Sequence, residues 1–271
     1  MTIAREVVRG TTISDAWLSA VVAVSDAPDR QRGVCHLVTR IASPPDEQPQ
    51  VRAAADRLLS ELGYDPIETV ANTIFPASMA ATSRDHAHLA ERYRRVYPTL
   101  RRLDPARNRH GTYFGRIVAH PAAGGEHDQL AELLRRLRTE LAAPAPKSAR
   151  YEMNVSEPGD LAPQEPGAEQ AAGASVHVYA PGQDNSPMGF PCLSFCSFQL
   201  DQDRLHMVAH YRYQYLVQRG YGNYLGLARL LKYVGDAAGL APGELMIVAG
   251  VAKVEPPKYR IQQLTGDAAA G

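Results

Sequence analysis

Residues 191–216 read PCLSFCSFQLDQDRLHMVAHYRYQYL, two apolar runs joined by a short polar turn. Alternating patterns with aromatic and β-branched side chains predict strands at Cys192–Leu200 and Leu205–Leu216, paired as a hairpin. A helix is predicted next, at Asn223–Ala238, followed by a buried strand at Leu245–Val254. The rest of the predicted fold is arranged around this hairpin, helix and strand.

Upstream of this block, helical and strand patterns follow one another in irregular order. Strands are predicted at Gly33–Ala42, Arg150–Val155 and Ser175–Tyr179, and helices at Val51–Leu62, Pro66–Phe75, His86–Val96 and Asp128–Leu141. Because helices and strands do not alternate regularly, the chain is predicted to be α+β, with a mixed sheet and helices packed over it. We expect a single domain over residues 1–271, with a flexible insertion at about 156–190 and a short C-terminal tail at 256–271.

Composition limits the classes of partner. The 271 residues include 29 basic and 29 acidic side chains, a balance that gives no reason to expect a nucleic acid polymer or an anionic membrane. No segment has the length and hydrophobicity of a membrane span, and the first residues lack the layout of a signal peptide. Three cysteines are too few for a disulfide framework. The chain is therefore expected to be cytoplasmic, with a small molecule as partner.

Cys192 is the candidate nucleophile. A thiolate is a strong soft nucleophile, and Cys192 begins a predicted strand. Arg212 lies toward the end of the next strand, and Asn223 opens the helix that follows. A thiol, a cation and an amide on consecutive elements are suited to attack on a small anionic ring compound.

Other residues suggest alternative sites. Gly220-Tyr221-Gly222 resembles a dinucleotide loop, but Gly226 comes one position too late, which favours a plain turn. No metal site is expected, because the spacing of the His and Cys pairs does not fit metal ligands. A thiol hydrolase would need His206 or His210 as the base for Cys192 across the hairpin.

Glu68 is the one acidic side chain in an otherwise neutral predicted helix. One interpretation is a first-turn acid that the helix dipole favours. The other is a carboxyl group beside a cavity, with a raised pKa useful for proton transfer. Composition leaves the two open.

The stretch Cys192–Val254 resembles thymidylate synthase and its pyrimidine hydroxymethylase relatives. The counterparts of the family's nucleophile, arginine, asparagine and nucleotide-reading segments stand in order here as Pro191-Cys192-Leu193, Tyr211-Arg212-Tyr213, Tyr221-Gly222-Asn223 and Gly250–Glu255. Upstream counterparts are Asp29–Gly33 for the phosphate loop, Ile67–Val70 for the catalytic glutamate, Gly111–Gly115 for a glycine-bounded segment, and Asp128–Val155 for the arginines that reach a partner subunit.

The resemblance implies a mechanism and a set of site residues. Cys192 would add to C6 of a pyrimidine, Asn223 would read a carbonyl and a ring NH, and Glu68 would manage protons. C5 would then accept a methyl or hydroxymethyl carbon from 5,10-methylenetetrahydrofolate. Substrate-binding positions would be Arg212, Arg30, Arg32, Arg150, Tyr213, Lys253, Glu255 and Phe114. The resemblance also implies a homodimer formed through the sheet.

Several positions depart from the family pattern. Leu193, Tyr213 and Tyr215 stand where the family has histidine, serine and aspartate. Lys253 and Glu255 replace the histidine and tyrosine that read the ribose. Residues 256–271 are too few for the family's C-terminal lid. These changes leave a second hypothesis open, in which the pocket binds a ligand and has lost folate chemistry.

Overall fold

The centre of the structure is one mixed β-sheet. The computed structural model describes residues 2–4, 6–103, 111–122, 125–143, 175–178 and 191–270. The strands of the sheet are β1 (Thr2–Ile3), β2 (Val8–Gly10), β3 (Val34–Ile41), β6 (Ser175–His177), β7 (Leu193–Asp201), β8 (Arg204–Tyr215) and β9 (Ala241–Lys253). A separate two-stranded ribbon consists of β4 (His120–Ala122) and β5 (Gly125–His127).

The order across the sheet is β1, β3, β9, β8, β7, β6, and β2 lies beside β3 on the same edge as β1. The predicted hairpin is confirmed, because β7 and β8 are antiparallel and meet at a two-residue turn. Strands β8 and β9 are parallel, while β3 and β9 are antiparallel. The sheet is therefore mixed, and the α+β prediction is confirmed.

Helices cover one face of this sheet. They are α1 (Ile13–Ser25), α2 (Pro49–Glu61), α3 (Ile67–Ile74), α4 (Ala77–Ala81), α5 (His86–Leu103), α6 (Tyr113–Val118), α7 (Gln129–Leu141), α8 (Tyr221–Ala238) and α9 (Lys258–Ala269). None of the helices in the described ranges is long and apolar enough to cross a membrane.

Helix α1 lies at the centre of the core. Trp17 is 1% exposed, its ring packs edge-on against Tyr221 at 5.1 Å between centroids, and its indole N–H donates to the Leu216 carbonyl at 2.7 Å. Thr12 and Asp15 form a capping box that satisfies the first N–H groups of the helix. The indole contact ties α1 to the turn that leads from β8 into α8.

Strand β8 passes into helix α8 without a loop. Leu216–Gly220 form a π-helical turn, and Gly220 has helical backbone angles. Glu255 accepts hydrogen bonds from the backbone N–H groups of Val217 and Gln218, at 3.3 and 2.9 Å. The plain turn predicted here from the glycines is wrong, because the chain stays helical through them.

Two glycines let α8 approach α3 closely. A Cβ atom on Gly222 would lie 2.5 Å from Cβ of Val70, and one on Gly226 would lie 2.7 Å from the Ala71 carbonyl oxygen. The glycines are four residues apart, so they lie on the same helical face. This close packing holds α3 and α8 at a fixed separation beside the sheet.

The short C-terminal tail expected at 256–271 is mostly helical. Helix α9 occupies most of it, and Ile261 and Leu264 are buried. The helix packs on α1 and α2. The predicted strand Arg150–Val155 lies outside the described residues, and so does the predicted insertion at about 156–190, except for 175–178.

Candidate functional site

A cavity of about 380 Å³ opens between α3, the start of α6, the beginning of β7 and the end of β8. This volume lies in the lower part of the range of small-molecule sites. Its described wall consists of Asp65, Thr69, Val70, Thr73, Gly111, Thr112, Tyr113, Cys192, Tyr213, Gln214, Tyr215, Gln218, Arg219 and Asn223. The structure thus brings three of the predicted site residues together, namely Cys192, Tyr213 and Asn223.

The Cys192 thiol is half-buried at the edge of the sheet. Its carbonyl accepts the Arg212 backbone N–H at 2.8 Å, which fixes the start of β7 against β8. Burial raises the pKa of the Cys192 thiol, and the positive charges of Arg212 and Arg219 offset part of this rise. The thiol is therefore mostly protonated at neutral pH, and its nucleophilicity should increase with pH.

Residues 111–113 form the side of the cavity that faces Cys192. Gly111 has a φ of +94°, and a Cβ there would lie 2.0 Å from the Tyr97 hydroxyl, so both conformation and space require glycine. Thr112 caps α6 by accepting the Gly115 N–H and is hydrogen-bonded to the Tyr93 hydroxyl at 2.6 Å. Burial raises the pKa of Tyr113, whose hydroxyl hydrogen-bonds to the backbone at Cys192 and Leu193.

An ion pair stands in the cavity wall. Arg219, in the π-helical turn, lies 2.9 Å from the carboxylate of Asp65, whose side chain is 12% exposed. Within the described wall, Asp65 is the one acidic side chain and Arg219 is the one basic side chain. The pair therefore leaves this part of the cavity close to electrically neutral.

Two carboxamides complete the polar part of the wall. Gln214 is 2% exposed, and both polar atoms of its side chain are buried without a hydrogen-bond partner among the described residues. Asn223, in the first turn of α8, is 5% exposed. Buried amides normally find partners, so an unpartnered one in a cavity wall marks a position where a bound compound would supply the hydrogen bonds.

Sequence reasoning missed several members of this wall: Asp65, Tyr113, Gln214, Gln218 and Arg219. Position along the chain could have indicated some of them. Gln214 lies between Tyr213 and Tyr215 at the end of β8, and Gln218 and Arg219 lie between that strand and Asn223. No pattern in the sequence indicated that Asp65 and Arg219 form a pair.

The predicted phosphate-binding arginines do not line the described cavity. Arg212 donates from Nε and Nη2 to the Pro191 carbonyl, at 3.0 and 2.7 Å. Arg30 donates to the Pro256 carbonyl, and Arg32 is exposed in the turn before β3. Arg150 lies outside the described residues.

Three other predicted substrate contacts also lie elsewhere. Phe114 is fully buried in edge contacts with Phe75 and Tyr93, so the cavity side of this segment belongs to its neighbour Tyr113. Lys253, at the end of β9, is absent from the described wall. Glu255 holds the π-helical turn, and burial raises its pKa.

Of the two interpretations of Glu68, the one with a raised pKa is contradicted, because its pKa is lowered. Its side chain is 49% exposed and pairs with Arg229 at 2.7 Å and with Arg52 at 3.1 Å. The Arg229 guanidinium, with Arg52, holds the pKa of this carboxyl below its usual range. Glu68 is absent from the described cavity wall, so the structure agrees with the first-turn acid and not with the proton-transfer role.

The contact between Cys192 and a histidine of β8 that a thiol hydrolase would need is not formed. His210 pairs with Phe195 and stacks on its ring, and His206 pairs with Gln199. At ~3.3 Å per residue along a strand, these positions lie about 10 and 23 Å beyond Cys192. Proton transfer needs ~3 Å, so neither histidine is placed to serve as the base of a hydrolase.

Among the described residues, no three His, Cys, Asp or Glu side chains form a group that could hold a metal.

A larger cavity, of about 560 Å³, lies between α1 and the N-terminal strands. Its described wall is mostly aliphatic, and its charged members are Glu6 and Arg9. Because it carries no thiol, amide or imidazole side chain among those lining residues, we place the candidate site at the smaller cavity.

Comparison with known proteins adds no assignment. The chain matches no protein-family model and no curated protein.

Proposed function

We propose that this chain is a divergent thymidylate-synthase-like enzyme in which Cys192 adds to an electron-poor ring. The observation that carries the proposal is the meeting of Cys192 and Asn223 in one cavity, although 30 positions of chain separate them. The sequence resemblance gave these two residues roles on the same ring, and a shared cavity is what those roles require.

The proposed step is a reversible conjugate addition. The Cys192 thiol gives its proton to water, and its sulfur forms a bond to C6 of a pyrimidine-like ring. The electron pair of the C5–C6 double bond moves toward the C4 carbonyl oxygen. The Asn223 amide donates a hydrogen bond to that oxygen as its negative charge grows. C5 then takes a proton from water, and loss of a C5 proton with expulsion of the thiolate restores the ring.

A folate does not fit the described part of this cavity together with an acceptor. The volume of about 380 Å³ suits one small ring compound, and the described wall offers no second surface for a pterin. Helix α9 packs on α1 and α2, so the described C-terminal segment does not cover the cavity. The proposed chemistry therefore ends at the covalent adduct. Carbon transfer from 5,10-methylenetetrahydrofolate stays an expectation, and a binding assay with this compound tests it.

The sheet face opposite α8 supports the proposed homodimer. Val38, Val208, Met246 and Val248 are half-exposed neighbours on paired strands. Sedimentation analysis should show a dimer, and Val248→Glu should dissociate it, while the surface change Lys232→Glu should not. A monomer at all concentrations would contradict the proposal.

The second candidate is a ligand-binding protein without chemistry. The raised pKa of Cys192 favours it, because a protonated thiol is a weak nucleophile at neutral pH. The two candidates share a site but differ in whether a covalent bond forms there.

Solvent deuterium exchange separates the two candidates. Uracil-type nucleosides and nucleotides are incubated with the protein in deuterium oxide, and the mass of the recovered compound is measured. Reversible addition by Cys192 places solvent deuterium at C5 and raises the mass by about one unit. The exchange should increase with pH, because burial raises the pKa of the thiol.

Cys192→Ser is the variant that tests the nucleophile, and Cys35→Ser is its matched control. Loss of exchange in the first variant alone supports the enzyme. Binding without exchange by the unmodified protein supports the ligand-binding alternative. Equal exchange by both variants and the unmodified protein would remove Cys192 from the mechanism.

A further inference from the structure

We infer that the acceptor in this cavity is an uncharged ring carrying an amide or imide edge, a nucleobase or nucleoside without a phosphate. The inference rests on the proposed function for the location of the site. It differs from the anionic nucleotide that the sequence predicted.

The first argument is the charge of the cavity. Its one described basic side chain, Arg219, is already neutralised by Asp65 at 2.9 Å. A phosphate placed against Arg219 would also face this carboxylate, and like charges at close range repel. The Arg212 guanidinium is occupied by the Pro191 carbonyl.

The second argument is the unpartnered carboxamide of Gln214. Its nitrogen and its oxygen are both buried without a partner among the described residues, at 2% exposure in the cavity wall. A carboxamide presents one donor and one acceptor side by side. The complementary ligand is a ring with a neighbouring N–H and C=O, which pairs with both atoms once the side chain turns toward the cavity.

The third argument is the chemistry of the surrounding wall. Tyr113, Tyr213 and Tyr215 supply rings with polar ends, and Asn223 supplies a second carboxamide. Such a wall stacks on and hydrogen-bonds a neutral heterocycle. Tyr213, Gln214 and Tyr215 all line the cavity at the end of β8.

Equilibrium binding to the full chain with Cys192→Ser tests the inference without any covalent step. The probes are uracil, 2′-deoxyuridine and 2′-deoxyuridine 5′-monophosphate, measured by titration calorimetry. The nucleoside should bind at least ~10-fold more tightly than its monophosphate, because the phosphate must leave water for a neutral wall. A monophosphate that binds as tightly or more tightly would overturn the inference, and so would a lack of binding by both neutral probes.

Gln214→Leu gives an independent test, because it should lower the affinity for the ligand without lowering the stability of the unliganded protein. Removing a buried amide that has no partner should leave the unliganded protein at least as stable as before, while affinity for 2′-deoxyuridine falls on the order of 10-fold. Gln218→Leu, at a less buried wall position, is the matched control and should change affinity less. Unchanged affinity in Gln214→Leu would overturn the inference.

The two proposals fail separately. If the Cys192→Ser protein binds the nucleoside but the unmodified protein exchanges no deuterium into it, the ligand class stands and the addition chemistry fails. If the monophosphate is both the tighter ligand and the exchanged compound, the chemistry stands and the ligand class fails.

Discussion

Gly222→Ala should destabilise the fold, although alanine is the better helix former. The new Cβ atom would lie 2.5 Å from Cβ of Val70, about 0.9 Å closer than the 3.4 Å at which ordinary contact begins. It would also lie 2.8 Å from the carbonyl oxygen of Ile67, a backbone atom that cannot rotate away. Overpacking of this kind costs about 1–3 kcal/mol. Because a backbone atom must shift, the upper part of that range applies, about 2–3 kcal/mol. The helix propensity of alanine returns up to ~1 kcal/mol, so the expected net loss is about 1–2 kcal/mol.

Urea unfolding measures this loss directly. Trp17 is the one tryptophan of the chain and is 1% exposed, so its fluorescence reports unfolding of the core. The unfolding midpoint should fall without a change in the slope of free energy against urea concentration. A corresponding thermal scan should show a lower Tm, by roughly 2–4 °C for each kcal/mol.

Gly266→Ala is the matched control. Gly266 also lies inside a helix, α9, but a Cβ atom there meets nothing within 4 Å. This variant should gain a few tenths to ~1 kcal/mol from helix propensity. If Gly222→Ala gains as much as Gly266→Ala, the close packing of α3 against α8 is not what the structure shows, and the reasoning fails.

Three further predictions concern single side chains. Trp17→Phe removes the N–H that satisfies the Leu216 carbonyl, so the free energy of unfolding measured by circular dichroism should fall by about 1–3 kcal/mol; no loss would show that the bond is dispensable. Because ion pairs lower the pKa of Glu68 in the folded protein, its contribution is present above the ordinary carboxyl pKa and is lost in acid. Glu68→Gln should therefore cost less than about 1 kcal/mol near pH 7, and a cost that persists unchanged through an acid titration would contradict the sign. Arg219→Gln removes a cation that lowers the pKa of Cys192, so alkylation of this thiol by iodoacetamide should slow at neutral pH and recover at high pH; faster alkylation at neutral pH would refute the electrostatic account.

The sequence predicted the elements whose patterns are local. The hairpin of β7 and β8 and helix α7 have clear two-residue or helical periodicity, and their observed bounds agree within one residue. Helix α1 was missed because Ile13–Ser25 is apolar on most of its surface, so it has no alternating pattern to read. Burial of eight of its 13 residues explains much of that composition.

The site was predictable in part, for a related reason. Cys192 and Asn223 lie in a segment whose consecutive elements are also neighbours in the structure, and both residues line the cavity. Glu68 was misassigned because its partner Arg229 is 161 positions away, and no local pattern indicates a distant cation. The Asp65–Arg219 pair was missed for the same reason. Long-range pairing decides the charge of the cavity, and it becomes visible only in three dimensions.

The loop-free passage from β8 through the π-helical turn into α8 has a consequence for how this protein can diverge. Side chains on both sides of the turn line the cavity, so their relative directions depend on the number of residues between them. Deleting or inserting one residue there would rotate everything in α8 by about 100° relative to the strand. Relatives should therefore change ligand by substitution within 211–223 and keep its length fixed, while insertions and deletions accumulate elsewhere.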